Sequence, residues 1–383
     1  MSSIVDIIQE FEKEKVESKL NSLIDLSYTF WNPNKPEEKL IIFYLAVIQN
    51  INQYETVQSN TIDNLTNIVI DILNPKYFKQ GIIQSLINSI NSTLDKPIGQ
   101  INPKSIVNLL ILIKAFFAKT HEKSEADKRN NLYLREELLI NLQSTLNIIY
   151  KLPKIQNDIG IMLNYLKLIE EILGKLRVWE KVYNFKYYAI DVWKENEENI
   201  IKLVLTQDKE NRLKSGKLLH LYGRKSGEIE LQKAIFNEKE PHCRNILMEA
   251  ITQVGFVESR FVLMYVMQKG SKEEKAAAEN ALNKLAKKFC FHDGNEMVEE
   301  LKPKKITLSD TMLILGTIFS LIGIIATSIS LAFTLENVAV VFIIIASITG
   351  LGFLPFIIIP IINKVQNSKY KKKLEKWDID FSR

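Results

Sequence analysis

The chain has 383 residues, enough for two or three domains, and it contains only 14 Gly and 10 Pro. Sheet-rich folds need more turn residues than this, so the composition predicts an all-α protein. Two cysteines exclude a disulfide framework, and four histidines leave little for a multi-histidine metal site. Residues 302–383 carry ten Lys/Arg against five Asp/Glu, whereas residues 1–301 hold 40 of each. This neutral body lacks the basic excess of a general nucleic-acid binder, which excludes nucleic acid as a partner.

Residues 1–196 form the first predicted region, a run of amphipathic helices with apolar residues three and four apart. Asn–Pro and Leu–Pro breaks separate the segments, as expected where helices end. The predicted helical segments are 37–51, 64–73, 105–118, 135–152 and 159–173. No internal period is visible here, so the region is interpreted either as degenerate repeats or as a separate helical bundle.

An internal repeat occupies the second region, residues 197–301. Each full block has an acidic residue, an arginine four positions later and a glycine eleven positions after the arginine. The matching residues are Asp208, Arg212 and Gly223 in the first block, and Glu240, Arg244 and Gly255 in the second. A third block opens at Ser271, which forms a predicted capping box with Glu274 but is followed by neither arginine nor glycine at the matching positions. Each glycine is expected to end a helix in the left-handed conformation.

These blocks resemble HEAT-like repeats of the short bacterial type that also occurs in phycobilisome lyases. The resemblance covers about residues 197–288. It implies stacked helix pairs, and therefore an α-solenoid with an extended surface for an unknown protein partner. We expect that surface on the helix that follows Pro241, although plain solvation of its side chains is the alternative. The residues concerned are His242, Asn245, Glu249 and Gln253.

Two uncharged runs predict a transmembrane helical hairpin over residues 306–363. The spans are 311–333, with 23 residues, and 338–362, with 25 residues, and four residues join them. A helix crosses the bilayer core with about 20 residues, so both runs are long enough. A buried hairpin in a soluble fold is the alternative. Pro355 and Pro360 predict that the second helix kinks or ends early and that residues 356–362 are irregular.

Nine lysines flank the two spans, and the loop between them carries only Glu336. Since basic residues stay on the cytoplasmic side, we expect an integral membrane protein whose N- and C-termini are both cytoplasmic. The tail, residues 364–383, is basic, and its lysines and Tyr370 suit the headgroups of an anionic leaflet; setting the orientation alone is the alternative. The headgroup candidates are Lys369, Lys371, Lys372, Lys373 and Lys376.

A stripe of small residues follows each span at helical spacing. The first span contributes Gly316, Ser320, Gly323, Thr327 and Ser330, and the second contributes Ala339, Ala346 and Gly350. Small residues let helices approach closely in lipid. The stripe is interpreted as the contact between the two spans; the alternative is contact between copies of the protein, which would make a homo-oligomer.

Function is predicted from location, because the sequence contains no catalytic motif. Cys290, His292 and Asp293 are too few for a zinc site, so neither enzymatic activity nor a cofactor is expected. The leading hypothesis is a membrane-anchored cytoplasmic interaction scaffold. The alternative is a membrane-perturbing oligomeric effector of the toxin or defence type, in which the body senses or assembles and the hairpin acts on the bilayer. A tetrapyrrole-handling enzyme, implied by the lyase resemblance, is least favoured.

Overall fold

A computed structural model describes residues 3–74, 77, 79–96, 100, 102–119, 128–155, 158–183, 188–224, 227–303, 314, 318, 322 and 359–376. Within these ranges the secondary structure is helical and no strand occurs, so the all-α prediction is confirmed. The chain divides into two compact units, residues 1–254 and 255–383. The boundary falls inside the region 197–301 that carries the repeat.

The first unit contains thirteen helices among its described residues. They are α1 Ile4–Lys13, α2 Glu17–Tyr28, α3 Glu38–Gln49, α4 Glu55–Ile72, α5 Gln80–Leu94, α6 Pro103–Lys119, α7 Lys128–Ile149, α8 Leu152–Ile155, α9 Ile159–Tyr183, α10 Ala189–Leu203, α11 Lys209–Tyr222, α12 Glu228–Asn237 and α13 Pro241–Val254. Each of the five segments predicted from apolar spacing overlaps one of these helices.

Helices two or three apart in the chain pack against one another in a continuous row through the first unit. In this row α2 contacts α4, α4 contacts α6, α6 contacts α9, α9 contacts α11 and α11 contacts α13. The intervening helices also contact each other, since α3 packs on α5, α5 on α7 and α10 on α12. Neighbours in sequence pack across the two sets, as in α3 with α4 and α12 with α13. The region 1–196 therefore continues into the repeat blocks through the same row.

Buried amides and hydroxyls connect helices that lie three apart in the chain by binding the carbonyl groups that helix ends leave open. At the end of α3, Ser105 Oγ donates to the Gln49 carbonyl over 2.8 Å, and Asn108 Nδ2 donates to the Ile48 carbonyl over 2.8 Å. Farther along, Asn199 Nδ2 donates to the Tyr150 carbonyl over 2.9 Å. These buried side chains are polar, yet each binds a backbone carbonyl group at or next to a helix end.

The second unit begins with a 3₁₀ turn, Val257–Ser259, and continues through a small group of helices. They are α14 Arg260–Lys269, α15 Lys272–Lys288, α16 Gly294–Glu300 and α17 over 359–376. Helix α15 packs on both α14 and α16 and buries Leu282 and Leu285. The Ser271–Glu274 capping box predicted for α15 is present, with Ser271 N donating to Glu274 Oε2 over 2.8 Å.

Most of the predicted hairpin lies outside the described residues. Within the part that is described, no helix is both long and apolar enough to cross a bilayer. Three described residues of the first span, Ile314, Ile318 and Ile322, are helical. Residues 359–362 at the end of the second span are helical as well. The prediction that this stretch is irregular is therefore wrong there, because the fixed φ of Pro360 is compatible with a helix.

Candidate functional site

Helices α11 and α13, which carry the first two repeat blocks, lie parallel and in register. Near their first turns Lys209 Nζ lies 3.2 Å from Glu240 Oε2, and near their last turns Gln253 Nε2 donates to the Gly223 carbonyl over 3.4 Å. Midway, a Cβ on Gly216 would meet Leu247 at 3.1 Å. The paired residues are about 31 positions apart, which is close to the 32-residue spacing of the two sequence blocks.

Arg212 occupies the centre of a buried cluster at the start of these helices. Its guanidinium binds the Glu238 carboxylate through two bonds, Nε to Oε2 at 2.7 Å and Nη2 to Oε1 at 3.1 Å. Nη1 donates to the carbonyl groups of Thr206 and Gln207, at 3.0 and 2.5 Å. Glu238 Oε1 also accepts the backbone N–H groups of the two residues that follow it, at 2.9 and 3.0 Å. Arg212 therefore ties the turn before α11 to the turn before α13.

The cluster is electrostatically well matched. Burial alone would raise the pKa of Glu238, but hydrogen bonds from Arg212, Cys243 and the backbone lower it to about 2. The Glu238 side chain is 2% exposed, so it remains a buried carboxylate with a dedicated cation. Burial and the nearby Glu238 raise the pKa of Cys243 to about 12, which makes this thiol an unreactive core group.

A cleft of about 450 Å³ opens beside this ion pair, between the turns that follow α10 and α12. Its lining includes Val204, Leu205, Asn237, Lys239 and the ion pair itself. Every polar group of the Arg212 guanidinium described above already has a partner within the protein. The ion pair therefore stabilises the adjoining turns.

The capping residue of the first block agrees with its predicted role, whereas the glycines do not. Asp208 caps α11 by accepting the Asn211 N–H at 2.8 Å. Gly223 ends α11 at φ −59°, not in the left-handed region, and Gly255 has no positive φ either. A Cβ on Gly223 would lie 2.4 Å from Val254 Cγ1, so this glycine allows the close approach of α13. Among the described residues, the glycine with a left-handed backbone is Gly227, at φ 91° before α12.

The residues predicted as a partner surface do not form one uniform exposed face of α13. His242 and Gln253 are exposed, whereas Asn245 and Glu249 are half-buried. The Glu249 carbonyl lies 3.1 Å from His220 Nδ1 on α11, and the Gln253 amide binds α11 as described above. Arg244 is half-buried on the same helix. Of the four predicted surface residues, only the side chains of His242 and Gln253 are exposed enough to contact a partner.

In the remaining chemical candidate, Cys290 with His292 and Asp293, the aspartate is a helix cap. Asp293 caps α16 by accepting the Glu296 N–H at 2.8 Å, and His292 Nδ1 lies 3.4 Å from its carboxylate. The His292 side chain is 89% exposed. Within the described ranges, no group of three or more His, Cys, Asp or Glu side chains could hold a metal ion.

The basic tail is partly an ordered helix, α17, attached to the second unit. All five headgroup candidates lie on it and are exposed. Tyr370, expected at the leaflet, is instead 7% exposed, and its ring centroid lies 5.9 Å from that of Phe261. Tyr370 and Leu374 are four residues apart, which is a helical apolar spacing that the lysines around them obscured.

The eight residues of the predicted small-residue stripe, Gly316 to Ser330 and Ala339 to Gly350, lie outside the described residues. Neither protein-family models nor curated proteins give a match to this chain. The resemblance to HEAT-like repeats therefore depends on the blocks at Asp208 and Glu240 alone.

Proposed function

We propose that this chain is a non-enzymatic, membrane-anchored cytoplasmic scaffold. In this proposal residues 17–254 form an α-solenoid that binds a partner protein, and residues 306–363 form the membrane hairpin. The observation that carries the proposal is the continuous row from α2 to α13. Stacked helices of this kind expose an extended surface. Their buried polar side chains bind neighbouring helices and turns.

Two features of the sequence support the membrane anchor. Two uncharged runs of 23 and 25 residues stand next to each other, and the lysines lie on their outer flanks. Each run exceeds the length needed to cross the bilayer core. A hairpin of this kind leaves residues 1–301 and the C-terminal tail on the same, cytoplasmic side.

Alkaline carbonate extraction tests the anchor directly. The full chain should stay in the membrane pellet, and its release into the supernatant would refute the anchor.

Topology is tested in intact cells with cysteines placed at Ser2, Ser382 or Glu336. An impermeant thiol reagent should label only the cysteine at 336, and labelling at 382 without permeabilisation would overturn the orientation.

The recognition surface is tested with photo-crosslinking side chains in the full-length protein. A crosslinker at exposed His242 of α13 should capture one defined partner, and one at Gln253 should capture the same partner. Ile229, which is 61% exposed on α12 in the other set of helices, is the matched control. Equal capture from all three positions would argue against a recognition surface on α13.

One comparison separates the scaffold from the effector. The wild-type chain and Gly323→Leu are expressed in a host cell, and dye entry and growth are measured. If the chain is a scaffold, dye entry and growth stay unchanged in cells that express either the wild type or Gly323→Leu. If the wild type permeabilises cells and Gly323→Leu does not, close approach of the spans is damaging the bilayer, and the effector function replaces the scaffold.

A further inference from the structure

A groove of about 410 Å³ lies between α4 and α6, two neighbouring helices of the packed row. On each helix the lining residues recur every three or four positions, so both helices turn one face to the groove. Its volume is within the range of about 300–1,000 Å³ that is common for binding pockets. The lining includes Glu55, Gln58, Ser59, Ile62 and Asp63 of α4, and Lys104, Val107, Asn108, Ile111 and Ala115 of α6.

The floor of the groove is buried, and its amide groups are directed at backbone acceptors. Gln58 and Ile62 of α4 and Asn108 of α6 are all buried. Gln58 Nε2 donates to the Asn50 carbonyl over 2.6 Å, and Asn108 Nδ2 donates to the Ile48 carbonyl over 2.8 Å. The amide N–H groups of the floor are therefore used within the protein, and the surface left to a partner is mainly apolar.

An apolar stripe runs along the α6 wall of the groove. Val107, Ile111 and Ala115 follow one another at intervals of four residues, so they lie on one side of the helix and span about 12 Å. Val107 and Ala115 are half-buried, and Ile111 is 38% exposed although it lies in the middle of α6. Such a stripe suits the apolar face of another helix, which is how amphipathic helices occupy grooves.

The α4 wall supplies negative charge along the same length. Helix α4 contains three carboxylates and no lysine or arginine, and two of the carboxylates, Glu55 and Asp63, line the groove about 12 Å apart. Asp63 lies 3.5 Å from Lys119, and its side chain is 60% exposed. An ionised carboxylate has about four acceptor sites, so Asp63 can bind a partner's cation while it keeps Lys119. On the α6 wall, Lys104 lies at one end, 3.5 Å from the Ile51 carbonyl.

We propose that the α4–α6 groove binds an amphipathic helix of a partner protein, with lysine or arginine on the flank that faces α4. Apolar residues of that helix pack on Val107, Ile111 and Ala115, and its cations bind Glu55 and Asp63. This surface is separate from the exposed residues of α13. The inference rests on the scaffold function proposed above, because it names the chemistry of the scaffold's partner.

Two synthetic helices of about 18 residues, or five turns, test the charge of the partner. Both carry leucines three and four positions apart; one has lysines along one flank, and the other has glutamines at those positions. Each is titrated against the full chain in phosphatidylcholine nanodiscs, with hydrogen exchange of α4 and α6 as the readout. The lysine peptide should slow exchange in both helices and bind about three- to tenfold more tightly than the glutamine peptide, because it forms two exposed ion pairs.

Variants of the groove separate its charge from its apolar stripe. In the double variant Glu55→Gln, Asp63→Asn, the two peptides should bind equally. Ile111→Gln should weaken the binding of both peptides by about tenfold, since it removes the centre of the stripe. Ile140→Gln is the matched control, because Ile140 is 53% exposed on α7, in the other set of helices. Unchanged exchange of α11 without peptide reports that each variant is folded.

Equal binding of the two peptides to the wild type would overturn the inference. So would binding that Ile111→Gln leaves unchanged, or a wild type in which neither peptide slows exchange of α4 and α6. In these cases the scaffold function stands if the crosslinkers on α13 still capture their partner. Release of the full chain by carbonate would instead refute the scaffold itself.

Discussion

The first unit and helix α17 of the second unit are held in place in different ways. In the first unit each helix of the row packs between two others, and buried polar groups such as Arg212 join adjoining turns. In α17, over residues 359–376, Tyr370 and Leu374 are buried, and lysines surround them. The row of helices in the first unit distributes its stability over many neighbours, whereas α17 has few buried side chains over 359–376. Substitutions in the two regions should therefore differ in how much stability they remove and in how many helices they affect.

Removing Arg212, the half-buried partner of the buried Glu238, should have the largest effect. Arg212→Ala leaves the Glu238 carboxylate, 2% exposed, without its cation and releases two backbone carbonyl groups. Loss of one partner of a buried ion pair costs about 3–5 kcal/mol, which is the expected fall in the free energy of unfolding of the first unit. Urea denaturation followed by helical circular dichroism measures it. A loss below about 1 kcal/mol would mean that the pair is effectively solvent-screened.

Because of the Arg212–Glu238 ion pair, the stability of the first unit should fall in acid. Since the pKa of Glu238 falls from 4.5 to about 2 on folding, its stabilising contribution is complete above pH 4.5 and is lost as the pH falls towards 2. A shift of this size corresponds to about 3 kcal/mol. The stability difference between wild type and Glu238→Gln should therefore shrink across this pH range. A difference that stays constant would show that the charge of Glu238 contributes nothing.

In α17 the expected effect is smaller and local. Leu374→Ala removes a buried side chain from the contact with the second unit, for a loss of about 2–3 kcal/mol in the docking of that helix. Hydrogen exchange of residues 359–376 should rise while exchange of α11 and α13 stays unchanged. Glu375→Ala is the control on the exposed side. If exchange rose throughout the first unit, the contrast between a distributed body and a singly attached helix would be wrong.

Two glycines test how tightly the row is packed. Gly223→Ala places a Cβ 2.3 Å from the Leu219 carbonyl oxygen and 2.4 Å from Val254 Cγ1, so α11 and α13 must separate, at a cost of about 1–3 kcal/mol. Gly174→Ala in α9 meets nothing within 4 Å and should instead stabilise the helix by about 0.5–1 kcal/mol. Thermal denaturation of both variants measures the opposite signs. A neutral Gly223→Ala would indicate a loose contact between the two helices.

Sequence reasoning predicted the local features well because they depend on neighbours in the chain. The cap at Asp208 and the capping box at Ser271 follow from residues three positions apart. It missed Glu238, the partner of Arg212, because 26 positions separate them and only the fold brings them together. The two glutamates just before Pro241, Glu238 and Glu240, were the available signal. It also misjudged Gly223, since a close approach and a left-handed turn both favour glycine.

The row through residues 1–196 could not be predicted for a similar reason. Packing of alternate helices requires apolar faces of the right size, and many different side chains supply them. The packed row therefore extends through this region without a visible sequence period. In α17, Tyr370 and Leu374 were assigned to the membrane surface or overlooked because five lysines dominate the composition of that helix.

The smallest expected effect compares one helix cap in each unit. Asp208 accepts a single N–H bond at the start of α11, whereas Ser271 and Glu274 satisfy two donors reciprocally at the start of α15. Asp208→Ala and Ser271→Ala should each cost about 1 kcal/mol, because each leaves an N–H group at the helix start without its acceptor. Asp208→Asn should restore most of the loss, since the amide oxygen can still accept.

Hydrogen exchange in the first turns of α11 and α15 separates the local effect from global unfolding. In a row of stacked helices, fraying of α11 is opposed by α9 and α13 on its two sides, so Asp208→Ala should accelerate exchange only in the first turn. Helix α15 has α14 and α16 as its main neighbours, and α16 is only seven residues long. Ser271→Ala should therefore spread faster exchange beyond the first turn of α15. If both substitutions accelerate exchange only in the first turn of their helix, α15 is packed as firmly as α11. The contrast between the two units would then apply to α17 alone.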